Sequence, residues 1–403
     1  MKTDFLAPAY TSRALTLACQ TAVNLIFETT PEGGMYFLSP GMKPYLSLGA
    51  GVCRGGTKAG GYSWYVVGGY LFRVSSAGAT HNVGAVPGSG RVSLVANESQ
   101  LVVMHSAGWH VVTLSTLAYA AVADSPTTAQ GDYLGGRMYY PLEDGTYGWT
   151  ELNSASALDS LSFASAETLP DPVIAVAEDH GEMVILGETT TEFSQESGDP
   201  ELPLARMRST EYGIVAKHSV AKSDLTLFWL GQNDKGDPRV YKREGYSPVG
   251  ISDFAIDTYL AGCDNLSDAF GFCLSQEGHT FYWLTIPGKK TFLYDVSTQR
   301  WSELAYRDPT TGVLRPHRAA CHVAFGGKHI VGDTESGALF EYSQSTYTDD
   351  GNPRYWERTF SGPYDENKFI RYHQLELTAE MGVGLDGSPV VGDDPKVVLT
   401  WSD

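Results

Sequence analysis

The sequence predicts an all-β protein, a β-propeller of six or seven blades with an additional C-terminal β unit. Of its 403 residues, 42% are hydrophobic and only 19% are charged, while Gly and Tyr are abundant, which suits strands joined by tight turns. From about position 60 onward, short apolar or aromatic runs alternate with glycine or polar turns, as in antiparallel hairpins. The recurrence of these hairpins, described next, sets the architecture.

The hairpin pattern repeats along most of the chain. Residues 64–67 and 70–74 flank the turn Gly68-Gly69, and residues 92–96 and 101–104 flank a turn at 97–99. Later strands are predicted at 137–140, 183–186, 225–230, 280–284 and 329–331. Strands therefore begin at positions 70, 101, 137, 183, 225, 280 and 329, which is the spacing of four-stranded propeller blades. An irregular stack of β-sandwiches would give similar hairpins and is the alternative architecture.

Two elements stand out within the repeats. Residues 291–295, the turn 296–299 and residues 300–304 resemble a Kelch-type outer hairpin, in which Asp295 bonds the turn backbone and Trp301 packs between sheets. The residues at 253–263 are predicted as a connecting helix.

The composition divides the chain into four parts. Residues 1–50 are predicted as an N-terminal extended or β segment, 51–345 as the propeller, 346–368 as a linker or long loop, and 369–403 as the C-terminal β unit. Strands are expected at 369–379 and 396–401, with a Gly- and Asp-rich loop between them. Because the last strand would be left with an unpaired edge, we expect this unit to be incomplete and the native product to be longer.

The charge balance and the cysteines exclude several classes. The chain carries 28 basic and 47 acidic residues, a formal charge of −19, without a Lys/Arg run, so tight binding to nucleic acid or an anionic membrane is not expected. The five cysteines show no C-x-x-C pairing, which indicates a reducing cytosol rather than a disulfide framework or a zinc site. These cysteines are Cys19, Cys53, Cys263, Cys273 and Cys321.

The sequence also argues against export or a membrane anchor. Asp4, Pro8 and Arg13 interrupt the apolar run that a lipoprotein signal ending at Cys19 would need. No stretch of about 18 uncharged apolar residues occurs, so no membrane-spanning helix is predicted.

The sequence offers few candidates for chemistry. Ten histidines are scattered singly, and Cys321-His322 is the only close Cys/His pair, so no metal site is predicted. The glycine pairs Gly33-Gly34, Gly55-Gly56 and Gly326-Gly327 are predicted at turns, because none lies between a strand and a helix. We therefore predict no catalytic, cofactor-binding or metal-binding residues and no cofactor, and leave the binding residues unassigned.

A carbohydrate-binding or glycoside-cleaving propeller is the alternative function. Two carboxyl groups flanking a sugar bond suffice for glycoside hydrolysis, and the sequence does not show their separation. The terminal Thr400-Trp401-Ser402-Asp403 also resembles the start of an Asp-box hairpin, a turn motif of sialidase propellers, although it stands alone and outside the repeats.

A series of short motifs in the middle of the chain is specific in sequence and order. In chain order, these motifs are Phe163-Ala164-Ser165-Ala166-Glu167, Pro170-Asp171-Pro172, Gly187, Thr191-Glu192-Phe193, Ser197-Gly198-Asp199-Pro200, Leu202-Pro203-Leu204-Ala205-Arg206, Phe228-Trp229-Leu230-Gly231, Val240-Tyr241, Gly245-Tyr246-Ser247-Pro248 and Ile251-Ser252. Weaker motifs are Val23-Asn24-Leu25 with Glu28, Ser39-Pro40-Gly41, Gly90-Arg91-Val92-Ser93 and Arg371-Tyr372-His373. Together they resemble the packaged-DNA stabilization proteins, the tail hubs or nozzles of short-tailed bacteriophages.

The resemblance implies a structural subunit of the virion tail and no enzyme. It implies a ring, with a hexamer as the expected state, that is assembled in the host cytoplasm, lies below the portal and adaptor proteins, and meets a tail plug or needle and tail fibres or spikes. Such a ring would retain packaged DNA and conduct it at ejection, without binding it specifically. We expect the channel wall to be acidic or neutral and closure to come from loops such as 232–237 or 382–394.

Overall fold

The computed structural model describes residues 5–12, 19–31, 33–156, 158–166, 171–233, 235–360, 374, 376–378 and 397–400. Over these residues the fold is all-β apart from one α-helix. The first six strands pair as a small sheet (β1 with β2), a hairpin (β4 with β5) and two single strands, β3 and β6, that join sheets formed by later residues. They are β1 (Tyr10–Thr11), β2 (Cys19–Gln20), β3 (Ala22–Val23), β4 (Leu25–Glu28), β5 (Met35–Leu38) and β6 (Gly41–Ser47).

Four antiparallel sheets follow, each built from four consecutive strands, and we name them blades 1 to 4. Blade 1 comprises β7 (Cys53–Ala59), β8 (Tyr62–Val67), β9 (Tyr70–Val74) and β10 (Thr80–Ala85). Blade 2 comprises β11 (Ser93–Ala96), β12 (Gln100–His105), β13 (Gly108–Thr113) and β14 (Ala118–Val122). Blade 3 comprises β15 (Asp132–Leu134), β16 (Arg137–Pro141), β17 (Tyr147–Trp149) and β18 (Phe163–Ala164). Blade 4 comprises β19 (Val173–Asp179), β20 (Glu182–Gly187), β21 (Thr191–Glu196) and β22 (Leu204–Thr210).

Three further sheets, blades 5 to 7, complete the repeats. Blade 5 comprises β23 (Gly213–Ile214), β24 (Ala221–Lys222), β25 (Leu227–Gln232), β26 (Pro238–Glu244) and β27 (Ser247–Gly250), and helix α1 (Phe254–Ala261) follows it. Blade 6 comprises β28 (Phe270–Gln276), β29 (His279–Ile286), β30 (Lys290–Asp295), β31 (Arg300–Arg307) and β32 (Leu314–Pro316). Blade 7 begins with β33 (Ala319–Phe325), β34 (Lys328–Asp333) and β35 (Ala338–Ser343). The last described strands are β36 (Thr348–Asp349), β37 (Asn352–Pro353) and β38 (Glu357–Arg358).

Blade 7 takes its fourth strand from the other end of the sequence. Strand β6 pairs antiparallel with β35, with Gly41 opposite Ser343 and Ser47 opposite Ala338. The same exchange is repeated on blade 6, where β3 pairs parallel with β31 and antiparallel with β38. Residues before position 51 and after position 345 therefore contribute strands to propeller sheets, although the division into four domains stays a prediction.

Seven apolar clusters fill the seams between neighbouring blades and show that the ring is closed. On β8, Trp64 and Val66 pack against blade 2, whereas Tyr65 and Val67 face blade 7. Successive side chains of a strand point to opposite faces, so a blade that is covered on both sides needs a continuous apolar strand rather than an alternating one. The middle strands of the blades are covered on both faces, and their sequences are therefore unbroken hydrophobic runs.

Two-residue turns join the first and second strands of five blades. Both residues of each turn have positive φ, as in the type I′ turns that match the twist of a hairpin. The second position is glycine in every case, and the turns are Gly60-Gly61, Gly135-Gly136, His180-Gly181, Glu277-Gly278 and Gly326-Gly327.

One glycine prediction was wrong. Gly55 and Gly56 lie inside strand β7 and not at a turn. A Cβ atom at Gly55 would lie 2.7 Å from the Val92 carbonyl oxygen, and one at Gly56 would lie 2.8 Å from the Tyr65 ring. The positions are glycine because other parts of the protein approach the strand closely, not because the chain reverses.

The predicted hairpins and helix are confirmed, with small shifts. The strand expected from position 225 begins at Leu227, because Ser223 accepts bonds from the Leu225 and Thr226 amides and forms a turn there. The strand counted from position 70 is the third of blade 1, and β25, counted from position 225, is the third of blade 5 in chain order, whereas the other five counted strands are second strands. Asp253 caps helix α1 by accepting a bond from the Ile256 amide at 3.0 Å.

The Kelch-like hairpin is also confirmed. Asp295 accepts bonds from the Ser297 amide at 2.9 Å and the Thr298 hydroxyl at 2.7 Å. Trp301 packs in the seam between blades 5 and 6 and donates to the Ile251 carbonyl. Of the strands predicted at 369–379 and 396–401, the structure describes residues 374, 376–378 and 397–400, and none of these is in a strand. The other positions lie outside the described residues, and the C-terminal β unit stays a prediction.

Candidate functional site

The centre of the ring around Arg91 is the first candidate site. The first strands of neighbouring blades contact one another and lie nearest the axis, and Arg91 lies in the loop before β11. Arg91 Nη2 donates to the Ala320 carbonyl of blade 7 at 2.6 Å, and its guanidinium carbon lies 3.8 Å from the centre of the Phe270 ring of blade 6. Blades 6 and 7 are not neighbours of blade 2 in the ring, so the Arg91 side chain reaches them across the axis.

A second arginine fixes the loop that carries Arg91. Arg54 is 3% exposed, and its guanidinium donates to the carbonyls of Gly68 (3.1 Å), Val86 (2.9 Å), Pro87 (3.2 Å) and Gly90 (2.6 Å). No carboxylate of the described residues forms an ion pair with it, and burial lowers its pKa. The positively charged guanidinium of Arg54 therefore binds four carbonyl oxygens, most of them in the loop that leads into blade 2.

An open groove of about 980 Å³ lies beside helix α1, with walls from blades 4 and 5. Its carboxylates are Glu211, Asp237 and Asp257. Asp257 accepts a bond from the Ser252 hydroxyl at 2.5 Å and lies 3.4 Å from Arg239 Nε, and Asp237 accepts from the Asn233 amide at 3.1 Å. Burial raises the pKa of Asp257. Two of the three carboxylates are thus engaged in bonds within the protein, which fits a structural wall better than a pair of catalytic acids.

The loop at 232–237, which we expected as a source of channel closure, forms part of this groove. It lies at the outer side of blade 5 and is braced by bonds from the Lys235 and Asp237 amides to the Asn233 side chain. The second expected loop, 382–394, lies outside the described residues.

Two pairs of histidines lie within single blades. His105 Nε2 is 2.9 Å from His110 Nδ1 in blade 2, and His322 Nε2 is 3.0 Å from His329 Nδ1 in blade 7. Burial lowers the pKa of all four imidazoles, to about 4 for His105 and His322. In a neutral imidazole one ring nitrogen carries a hydrogen and the other accepts a hydrogen bond. In each pair, one neutral ring can therefore donate its N–H to the facing nitrogen of the other ring.

The Cys321-His322 pair does not act together. The two residues are successive on β33 and point to opposite faces of the strand, so His322 meets His329 while Cys321 meets Cys53. Across the described part of the chain, no group of three or more His, Cys, Asp or Glu side chains is arranged to hold a metal ion.

None of the described residues belongs to a helix that is long and apolar enough to cross a membrane.

An ion cluster ties blade 4 to blade 5. Arg243 Nη1 lies 3.0 Å from Asp179, and its Nη2 pairs with Glu182, which also accepts a bond from the Tyr246 hydroxyl at 2.7 Å. The cluster lies at a seam and is mostly buried, so its role is to hold the blades together.

The fold and these sites define the class of protein, which is a closed propeller of seven sheets. The polar clusters described above form hydrogen bonds and ion pairs within the protein. The comparison with known families gives the particular identity. The profile described as "Bacteriophage P22 Gp10, beta-propeller" matches residues 5–347, and the chain belongs to this family of phage structural proteins. A search of curated proteins found no match.

Comparison with solved structures finds similarity at low sequence identity. The extracellular domain of the two component system BT4673 from B. thetaiotaomicron aligns with a TM-score of 0.51 at 9% identity, over 75% of this chain and 40% of that one. The N-terminal domain of Nup159 aligns with a TM-score of 0.48 at 9% identity, over 80% of this chain and 98% of that one. Our chain thus spans less than half the length of the first protein, and the likeness concerns the fold alone.

Sequence reasoning missed two features of the site. Arg91 lies in one of the family-like motifs, but no local pattern shows that its side chain crosses the axis. Cys53 and Cys321 are 268 positions apart and become neighbours only because the ring closes.

Proposed function

We propose that this protein is a subunit of a phage tail nozzle, a ring that retains the packaged genome and forms the conduit for DNA ejection. Membership of the P22 Gp10 propeller family supports the phage role. The observation that carries the conduit hypothesis is the position of Arg91, whose side chain crosses the propeller axis to contact blades 6 and 7. An axis spanned by one side chain leaves no passage for duplex DNA, so the conduit would lie between subunits.

A conduit between subunits requires several copies around a common axis. A heterologous contact that closes after a fixed number of copies gives such a ring. We propose six copies, a number taken from the family resemblance. In the assembled tail, the ring would meet portal and adaptor proteins on one side and a plug or needle, with fibres or spikes, on the other.

The charge of the chain supports passage without retention by the wall. At −19, the protein presents few cations to displace the counterions of DNA, and displacement of counterions is the main source of non-specific affinity. Retention of the genome would then be steric.

Two measurements test this proposal. Mass photometry and negative-stain microscopy of the purified chain, alone and with its portal–adaptor complex, should show a closed ring. A species that stays monomeric in both settings would contradict the proposal. Fluorescence anisotropy with duplex DNA at physiological salt should give a Kd weaker than about 1 μM. Tighter binding that weakens steeply with salt would refute the acidic or neutral conduit.

A further inference from the structure

Two cysteines meet at the seam that closes the propeller ring. Cys53 begins β7 of blade 1, and Cys321 lies on β33 of blade 7. Their sulfur atoms are 3.6 Å apart, and the residues are 3% and 6% exposed. Both are free thiols in this structure. The pair therefore bridges the first and the last sheet of the ring.

The protein leaves room for sulfur at this point. Gly332 lies opposite Cys321 on β34, and a Cβ atom there would lie 2.3 Å from Cys53 Sγ and 3.2 Å from Cys321 Sγ. On the other side, a Cβ atom at Gly56 would lie 3.1 Å from Cys321 Sγ. The sulfur pair thus packs directly against two glycines, whose missing side chains leave the space that the sulfur atoms occupy.

The two thiols differ in their ionisation. The hydrogen bond from Cys53 lowers the pKa of Cys321, and the positive charge of Arg91 lowers it further. The same contact with Cys321, together with burial, raises the pKa of Cys53. Arg91 is held nearby by its bond to the carbonyl of Ala320, the residue before Cys321. Cys321 is therefore the nucleophilic partner and Cys53 the proton-carrying one.

We propose that Cys53 and Cys321 are a redox site, which hydrogen peroxide converts into a disulfide that locks blade 1 to blade 7. The Cys321 thiolate attacks one peroxide oxygen, the O–O bond breaks, and a sulfenic acid and hydroxide form. Cys53 sulfur then attacks the sulfenic sulfur, the S–O bond breaks, and the departing hydroxide takes the Cys53 proton as water. Overall, two thiols lose two electrons and two protons, and one peroxide becomes two waters.

Hydrogen peroxide is a small oxidant, and its size is the reason that it can reach this site. The thiols are almost fully buried, so a bulky disulfide such as oxidised glutathione has no direct approach to them. The sulfur atoms need to approach each other by about 1.6 Å to reach bonding distance. The disulfide would resist opening of the propeller at the seam between blades 7 and 1, where β6 already ties the start of the chain to blade 7.

The purified full chain tests the proposal. After reduction, exposure to hydrogen peroxide and removal of the excess, maleimide labelling under denaturing conditions should fall from five thiols to three. Peptide mapping without reductant should recover the segment containing Cys53 linked to the segment containing Cys321. A count that stays at five, further oxidation of either thiol without linkage, or linkage through a different cysteine would overturn the proposal.

Variants separate the site from general oxidation. Cys53→Ser should trap a sulfenic acid at Cys321 that dimedone labels, whereas Cys273→Ser, the control, should still form the disulfide. The oxidised wild type should melt about 5 °C above the reduced protein, because a cross-link over a long loop restricts the unfolded chain. Equal melting temperatures would refute the locking role even if the bond forms. The wild-type thiol count stands if Cys53→Ser does not fold.

Discussion

Arg54→Met should destabilise the protein by about 3–6 kcal/mol. The substitution keeps an apolar chain of similar length but removes all four bonds to carbonyls. The Val86 carbonyl is fully buried, so losing its charge-assisted bond should cost about 1.5–3 kcal/mol. The other three carbonyls are partly accessible to water, and each loss should cost about 0.5–1 kcal/mol. The sum is a large share of the stability of an ordinary domain.

Urea unfolding followed by tryptophan fluorescence measures this change. Arg208→Met is the matched control, because Arg208 is exposed on the outer strand β22 and its loss should change stability by less than about 0.5 kcal/mol. A loss below about 1 kcal/mol for Arg54→Met, or equal losses for both variants, would show that the carbonyl bonds contribute little. We further expect Arg54→Met to loosen the loop that carries Arg91, seen as faster amide exchange at 86–92.

Three further perturbations have expected outcomes. Asn24→Ala should lower the free energy of unfolding in urea by about 2–3 kcal/mol. Asn24 is 2% exposed and has a φ of 54°, and its side-chain amide makes three hydrogen bonds to backbone groups. A change under about 0.5 kcal/mol would contradict this role. Gly332→Ala should cost about 1–3 kcal/mol through overpacking, whereas Gly69→Ala, with open space around it, should be neutral. Folding stability should fall as pH drops from about 6.5 towards 4, because burial lowers the pKa of His105 to about 4 and also that of His110, so the unfolded chain binds more protons there. Replacing both histidines with Gln should reduce the slope of the melting temperature against pH over this window, while His322 and His329, whose pKa burial also lowers, retain part of it; an unchanged slope would refute the assignment.

Local patterns in the sequence predicted most of the fold. The hairpin at 64–74, the capped helix after Asp253 and the Asp295 turn depend on contacts within about a dozen residues, and each was predicted correctly. The spacing of the hairpins predicted six or seven blades, and the structure has seven.

The remaining features depend on contacts between distant parts of the chain. Gly55-Gly56 looked like a turn because the Val92 carbonyl and the Tyr65 ring that exclude a side chain are not visible in the sequence. In the same way, no local pattern shows that β6 belongs to blade 7, that Arg91 crosses the axis, or that Cys53 faces Cys321. Ring closure creates the contacts of β6, Arg91 and the cysteine pair, whereas those of Gly55 and Gly56 come from within blade 1 and from the neighbouring blade 2.

The origin of the seventh blade also shapes how the protein can fold during its synthesis. Strand β6 leaves the ribosome nearly 300 residues before β35, the strand with which it pairs. During that interval β6 has no partner in blade 7, and an unpaired strand edge invites association with other chains. Contacts over such a separation also slow folding, because a long loop must close before any pairing energy is gained. We therefore expect ring closure to be the slowest folding step, and partly synthesised chains to be the species most in need of chaperone protection.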